Sequence, residues 1–268
     1  SIYLKLDSLV EKTCKDKTID QKVNFIDKVA QQKIEPFIEK CFNDLADYTN
    51  AFKQRMVMKR EVIADKAIWT AKKRYMLHVL DDEGIRLTKP KMKIMGIEAV
   101  KSSTPEVCRG RIKTAIDMMM TEDNDTLIKF VADFREEFNK MTPEQISFPR
   151  SCNNLKKYKS SSQIFIKGTP IHVKGALIYN LKIKELKIDH IYPAIQEGDK
   201  VKFIKLKQRN PFKHDVISYM TKLPREFELD EYIDRDLMFE KTFIAPLSFI
   251  LEAIGWEIEK KASLEAFF

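Results

Sequence analysis

Apolar positions recur at intervals of three and four from about Thr18 to Tyr48. Val23, Ile26, Ala30, Ile34, Phe37, Ile38, Cys41, Phe42 and Leu45 make one stripe and predict a long amphipathic helix. Pro36 lies inside it and predicts a kink or a split, because proline has no amide proton and its ring meets the carbonyl one turn back. Ahead of that helix, Ser1-Ile2-Tyr3-Leu4-Lys5-Leu6 alternates and reads as a short strand. Behind it, Met56-Val57-Met58 opens a second strand and Tyr75-Met76-Leu77-His78-Val79-Leu80 a third. A hairpin is expected at Asp81-Asp82-Glu83-Gly84, with Ile85-Arg86-Leu87 returning.

Past about residue 100 the pattern changes. Thr104-Pro105-Glu106 predicts a helix start, with Pro at the first position and an acid at the second, continued by Val107, Ile112, Ala115, Ile116 and Met119. Asn124 or Asp125 caps a further helix that sets Leu127, Phe130, Val131, Phe134 and Phe138 on one side. Residues 141–170 are irregular and polar, and residues 164–207 have β character at Ile171-His172-Val173, Ala176-Leu177-Ile178-Tyr179 and Val201 to Leu206. Helical stretches close the chain over about 230–261, with Tyr232, Leu237, Phe243, Leu247, Ile250, Leu251 and Ile254 as core. The expected class is α+β: antiparallel strands and a long helix to about residue 100, then a mainly helical part with a small β insertion, the boundary falling near Lys101 to Pro105.

At 268 residues and 44% hydrophobic content, the chain suffices for one large domain or two modest ones. Charge adds location to this picture. The net charge is +8, yet residues 53–113 alone hold 16 Lys and Arg against 7 Asp and Glu, so the remainder is close to neutral. Concentrated in one stretch with interleaved aromatics, this excess points to a polyanion partner, while a solvated basic face is the plainer alternative. Cys14, Cys41, Cys108 and Cys152 have no metal-ligand spacing and read as reduced thiols in a cytosolic setting. No run of about 18 apolar residues exists, and no membrane partner is expected. A first residue Ser1 rather than Met suggests a processed chain or a piece of a longer one.

Candidate chemistry concentrates in the basic stretch. On an extended strand Lys73 and Tyr75 share one face and Lys72 and Arg74 the other, so a lysine reaches a phosphate while the ring packs beside a sugar or base. An edge strand guarded by lysines gives the same pattern. Lys91 and Lys93 alternate onto one face, and Gly96 lets another backbone come close. Lys101, Ser102 and Ser103 run into a helix start, a phosphate cradle or an ordinary cap. Glu61, an acid in a basic stretch directly after Lys59 and Arg60, either sits near a metal ion or pairs with a neighbour. His78, His172, His190 and His214 are scattered and read as structural, and no phosphate-wrapping glycine loop is present. At the end, Leu264, Phe267 and Phe268 lie on one side of a helical turn, which either folds back or enters a partner's groove.

Taken in order, Ser1-Ile2-Tyr3, Lys72-Lys73-Arg74-Tyr75, Lys93-Ile94-Met95-Gly96, Lys101-Ser102-Ser103-Thr104-Pro105, Gly175-Ala176-Leu177-Ile178-Tyr179-Asn180, Asn210-Pro211-Phe212 and Glu240-Lys241-Thr242-Phe243-Ile244 resemble the C-terminal part of the family B replicative DNA polymerases of T-even-type tailed phages. Lys260-Lys261-Ala262-Ser263-Leu264 is similar to that family's sliding-clamp tail. The resemblance implies the end of a palm over 1–100, a thumb over 101–259 and a clamp-binding tail over 260–268. It implies primer-template DNA held by Lys72, Lys73 and Tyr75, duplex product gripped from about Lys101 onward, and a sliding clamp on the tail; the candidate DNA-binding set is completed by Arg74, Lys91, Lys93, Lys101, Ser102 and Ser103, and the clamp-binding set is Leu264, Phe267 and Phe268. It maps Glu61 onto a palm acid, although Lys59 stands where the family has an acid.

In the family, an Asp-Thr-Asp run just before the Ser-Ile-Tyr strand holds two Mg2+ ions. That run is not in this chain, so no catalytic residue and no metal ligand is assigned here. The chain is expected to be inactive alone and to act with an N-terminal polymerase part, in the cytoplasm of an infected bacterial host. The alternative is a non-catalytic nucleic-acid-binding accessory subunit derived from a polymerase thumb.

Overall fold

The computed structural model describes residues 2–97, 101–160 and 163–259. It is α+β, with two antiparallel three-stranded sheets among its helices. The chain divides into two compact units, residues 1–67 with 76–93, and residues 68–75 with 94–268. The division falls inside each of the three strands of the first sheet and assigns the Lys72 to Tyr75 segment to the second unit.

In the first unit, α1 (Asp7–Cys14) and α2 (Ile19–Val29) precede a π turn (Ala30–Ile34) and α3 (Glu35–Tyr48). α2 starts at a capping box, in which Thr18 and Gln21 each accept the other's backbone amide. The predicted long helix therefore exists but is split. The residue at Pro36 cannot donate one turn back, and the chain widens into the π turn just ahead of it. Val23 of α2 packs with Ile63 and Leu80 as a core cluster, with Ile26 against it.

The first sheet runs in the order β1 (Val62–Ala71), β2 (Arg74–Asp82), β3 (Ile85–Met95). β2 and β3 join through Glu83 and Gly84, both at positive φ (52° and 89°), the two-residue hairpin expected there. Pro90 is accommodated because β3 is an edge strand.

Two expected strands are absent. Residues 2–6 and Met56-Val57-Met58 belong to no strand, and Ile2 and Val57 are 63% and 78% exposed. Alternation alone does not make a strand where no neighbouring strand shares its hydrogen bonds.

In the second unit, α4 (Glu106–Thr121) and α5 (Asn124–Lys140) pack with phenylalanines of the helical stretch over 235–244. α4 begins one residue later than expected, with Pro105 in the cap position and no side-chain cap. α5 is capped by Asp123, whose carboxylate accepts from the Thr126 amide at 2.8 Å, rather than by Asn124 or Asp125.

The stretch expected to be irregular contains α6 (Pro143–Ile146), β4 (Phe148–Ser151) and α7 (Leu155–Tyr158). The predicted strands around 171–179 are instead one helix, α8 (Ile171–Glu185). Val173, Ala176, Leu177, Ile178, Tyr179 and Ile183 are all buried, so the helix is apolar around most of its girth and shows no one-sided period. Gly175 allows this burial: a Cβ there would stand 2.4 Å from Ser218 Oγ and 2.7 Å from the Ser218 amide nitrogen. Ser218 lies in β6 (Val216–Tyr219), which pairs with β5 (Lys200–Lys205), which in turn pairs with β4.

α9 (Arg235–Phe239) leads through a second π turn (Glu240–Ile244) into α10 (Ala245–Ile254), and Pro246 again follows directly. Phe134, Phe138, Phe239 and Phe243 interlock, with Phe134 and Phe243 centroids 4.7 Å apart. Arg111 and Arg135 lie over Phe134 and Phe239 at 5.2 and 4.8 Å.

Candidate nucleic-acid interface

The extended reading of Lys72 and Lys73 is corrected by the structure. β1 ends at Ala71 and β2 begins at Arg74, so the two lysines form the connecting turn. Lys73 adopts φ +63°, the left-handed region that non-glycine residues enter mainly in tight turns. The two faces predicted for 72–75 therefore do not exist at the lysines, and both ammonium groups sit at an exposed hairpin tip. Arg74 and Tyr75 enter β2 and are half-buried.

The second basic motif meets this turn. Gly96, at φ +68°, has its backbone against Lys73: a Cβ would fall 2.3 Å from the Lys73 carbonyl oxygen and 3.2 Å from Arg74 Cγ. Arg74 Nε donates to the Gly96 carbonyl at 3.1 Å. The expectation that Gly96 permits close backbone approach is met, and the approaching backbone belongs to the lysine turn. The backbone carrying two cations is thus held in one shape, a suitable arrangement for a polyphosphate chain, because little order remains to be imposed on contact.

Lys91 and Lys93 both lie on β3, with Lys91 exposed. Lys93 Nζ donates to Glu61 Oε1 at 2.5 Å. That hydrogen bond holds the Glu61 carboxyl below its usual range and lifts the Lys93 ammonium above its own. Glu61 therefore pairs with a neighbour, and Lys93 reaches outward only by leaving it. Lys101 and Ser102 are exposed and Ser103 half-buried in a turn closed by the Thr104 amide on the Lys101 carbonyl at 3.2 Å. This turn leads to α4, whose first amides receive no side-chain cap. Leu264, Phe267 and Phe268 lie outside the described residues.

Sequence reasoning missed the charge cluster that organises the first unit. Asp81, 3% exposed, accepts from Arg60 NH1 at 2.6 Å and from the Gly84 amide at 3.0 Å, and Arg86 stands 3.5 Å away. Arg60 also binds Asp27 at 2.8 Å, and its amide donates to Glu35 at 3.0 Å. Partners 21 to 33 residues apart leave no local signal. Also missed was the loop 207–214. Asn210 donates to the Lys207 and His214 carbonyls at 2.7 Å each and accepts from the Phe212 amide, with Arg209 and Lys213 at positive φ beside it.

The other resemblance-bearing segments serve the fold: Asn180 grips both backbone atoms of Ile195, and Glu240 to Ile244 are the second π turn itself. His78 pairs with Asp65 at 2.6 Å, and burial lowers the basicity of His172 and His214. All four cysteines are free.

Among the described residues, the Mg2+ that the resemblance implies meets no fitting donor set. Among the described residues no group of three or more His, Cys, Asp or Glu is arranged to hold a metal ion, and Glu61 shares its charge with Lys93. Among them, too, no helix is long and apolar enough to cross a membrane.

No protein-family model matches the chain. It is 36% identical over 279 residues to a DNA-directed DNA polymerase of Escherichia phage RB69, covering 98% of this chain and 30% of that protein. It is 31% identical over 282 residues to a DNA-directed DNA polymerase of Enterobacteria phage T4, covering 100% of this chain and 31% of that protein. The chain thus spans under a third of the length of these relatives.

Proposed function

We propose that this chain, a relative of the T-even phage DNA-directed DNA polymerases, forms the palm end and thumb of such a family B enzyme and grips primer-template duplex during replication. The observation that carries the reading is the hairpin tip, where Lys72 and Lys73 are exposed on a backbone fixed by Gly96 and Arg74. Two ammonium groups at a rigid tip meet successive phosphates by charge alone, independent of base sequence, as a polymerase requires. Lys91 and the Lys101 to Ser103 turn extend the same contact class, and the uncapped amides of α4 add donors for a further phosphate oxygen.

Nucleotidyl transfer needs the Mg2+-binding aspartates of an N-terminal polymerase part, so the chain alone is inactive in this reading. Its tail, with Leu264, Phe267 and Phe268, tethers the assembly to a sliding clamp.

A fluorescence-anisotropy titration of the chain with a primer-template duplex tests the proposal. Affinity should fall steeply between about 50 and 200 mM salt. A duplex affinity indifferent to salt, or none at low salt, overturns it.

A further inference from the structure

α3 is fourteen residues long, and none of them is buried. Phe37, Cys41, Leu45 and Tyr48 follow one another at intervals of four, four and three, so they share one side of the helix over about 16 Å. All four are exposed, with Phe37 at 66%, Leu45 at 46% and Tyr48 at 87%. Ile34, Ile38 and Phe42 are half-buried. The predicted stripe is therefore wider than its own unit covers. The next aromatic, Phe52, is fully exposed as well.

A contiguous apolar row of this kind marks an interaction site. Phe37, Tyr48 and Phe52 alone offer roughly 450–750 Å2, much of the ~800 Å2 that each partner of a stable complex contributes. Glu39, Lys40, Asp44 and Asp47 on the same helix supply a polar rim of both signs.

We propose that the Phe37–Cys41–Leu45–Tyr48 row is the docking surface for the portion of a T-even-type polymerase that this chain does not span. The proposal rests on the polymerase reading above and names where that partner binds. The relatives are about three times as long as this chain, so a polymerase of their size brings a large protein surface beside it. An uncovered apolar helix face on a chain that matches under a third of those relatives is the natural counterpart of such a surface. A second copy of the chain would cover it only if the row were complementary to itself.

Cys41 makes the test direct, since Cys14, Cys108 and Cys152 are buried and Cys41 is exposed. The chain is compared free and fused into RB69 polymerase in place of the matched segment, with maleimide labelling at Cys41 read by peptide mass. Labelling should be rapid in the free chain and at least tenfold slower in the fusion. Leu45→Asp should restore labelling in the fusion, cut its primer extension at least tenfold and leave duplex binding by the free chain unchanged. Rapid Cys41 labelling in an active fusion overturns the proposal.

Sedimentation of the free chain is the second measurement. A monomer with labelled Cys41 is expected, and a concentration-dependent dimer dissolved by Leu45→Asp assigns the row to a second copy and overturns the proposal. Loss of duplex binding by the free chain defeats the polymerase reading instead, and is read separately.

Discussion

The Gly96 backbone leaves no room for a side chain beside the Lys73 carbonyl oxygen, which an added Cβ would approach to 2.3 Å. The close atom is backbone, so it cannot swing aside, and φ of +68° disfavours any L side chain there. Gly96→Ala should destabilise the protein by about 2–3 kcal/mol and weaken duplex binding, as measured by urea unfolding and anisotropy. Gly110→Ala is the control: nothing lies within 4 Å of its Cβ in the middle of α4, and it should stabilise by about 0.5–1 kcal/mol.

Lys73→Ala removes one cation from the hairpin tip without touching the Gly96 contact, which uses the carbonyl. Duplex affinity should fall by about 1–2 kcal/mol at low salt, and the slope of log affinity on log salt should flatten by about 0.9. An unchanged slope would place the phosphate contact elsewhere.

Asp81→Ala leaves Arg60, half of a pair with 12% and 4% side-chain exposure, without its nearest carboxylate and deprives the Gly84 amide of an acceptor. Breaking a buried pair from one side costs about 3 kcal/mol. Native-state hydrogen exchange should show the β2 amides opening more readily, while duplex affinity at the Lys72–Lys73 tip is retained.

Asp215 supplies a pH test. Burial disfavours its charge, but hydrogen bonds from Lys174 (2.6 Å) and Lys205 (2.9 Å) outweigh this and bring its pKa down to about 2. A carboxylate with a depressed folded value stabilises fully above its unfolded value, ~3.9, and loses that contribution as pH falls toward 2. Half-exposure limits the effect to about 1 kcal/mol. Asp215→Asn should therefore lower the urea midpoint at pH 7, and the difference from the unaltered protein should close by pH 2.

Phe267→Ala together with Phe268→Ala should reduce processivity with a sliding clamp in an assembled polymerase and spare basal extension. Equal loss of both would make the tail structural.

The one-sided pattern from Val23 to Leu45 announces its helix because the apolar positions keep to one side, whether a core receives them, as at Val23, or not, as at Phe37. The same logic failed for α8, where burial on nearly every side erased the period and left β-branched runs that read as strands. Charge marks Lys72 and Lys73 in the sequence, yet their turn conformation leaves no signal there, since a tight turn made of two lysines carries none of the glycine or asparagine that marks such turns. Gly96 reads in the sequence as a point of close approach, but which segment approaches it, the lysine turn, is a tertiary fact. The ion pair between Lys93 and Glu61, 32 residues apart, and the Arg60–Asp81 pair, 21 apart, depend on the sheet having formed.

Each of the two π turns is a five-residue loop of helix where an α-helix would spend about four. The extra residue advances everything beyond it by about 100° around the axis. Excising a single residue from Glu240 to Ile244 would rotate α10 and swing Leu247, Ile250 and Leu251 out of the burial they now have. The azimuth of α10 is thus written in the length of one loop of backbone, so that a deletion there acts as a rotation.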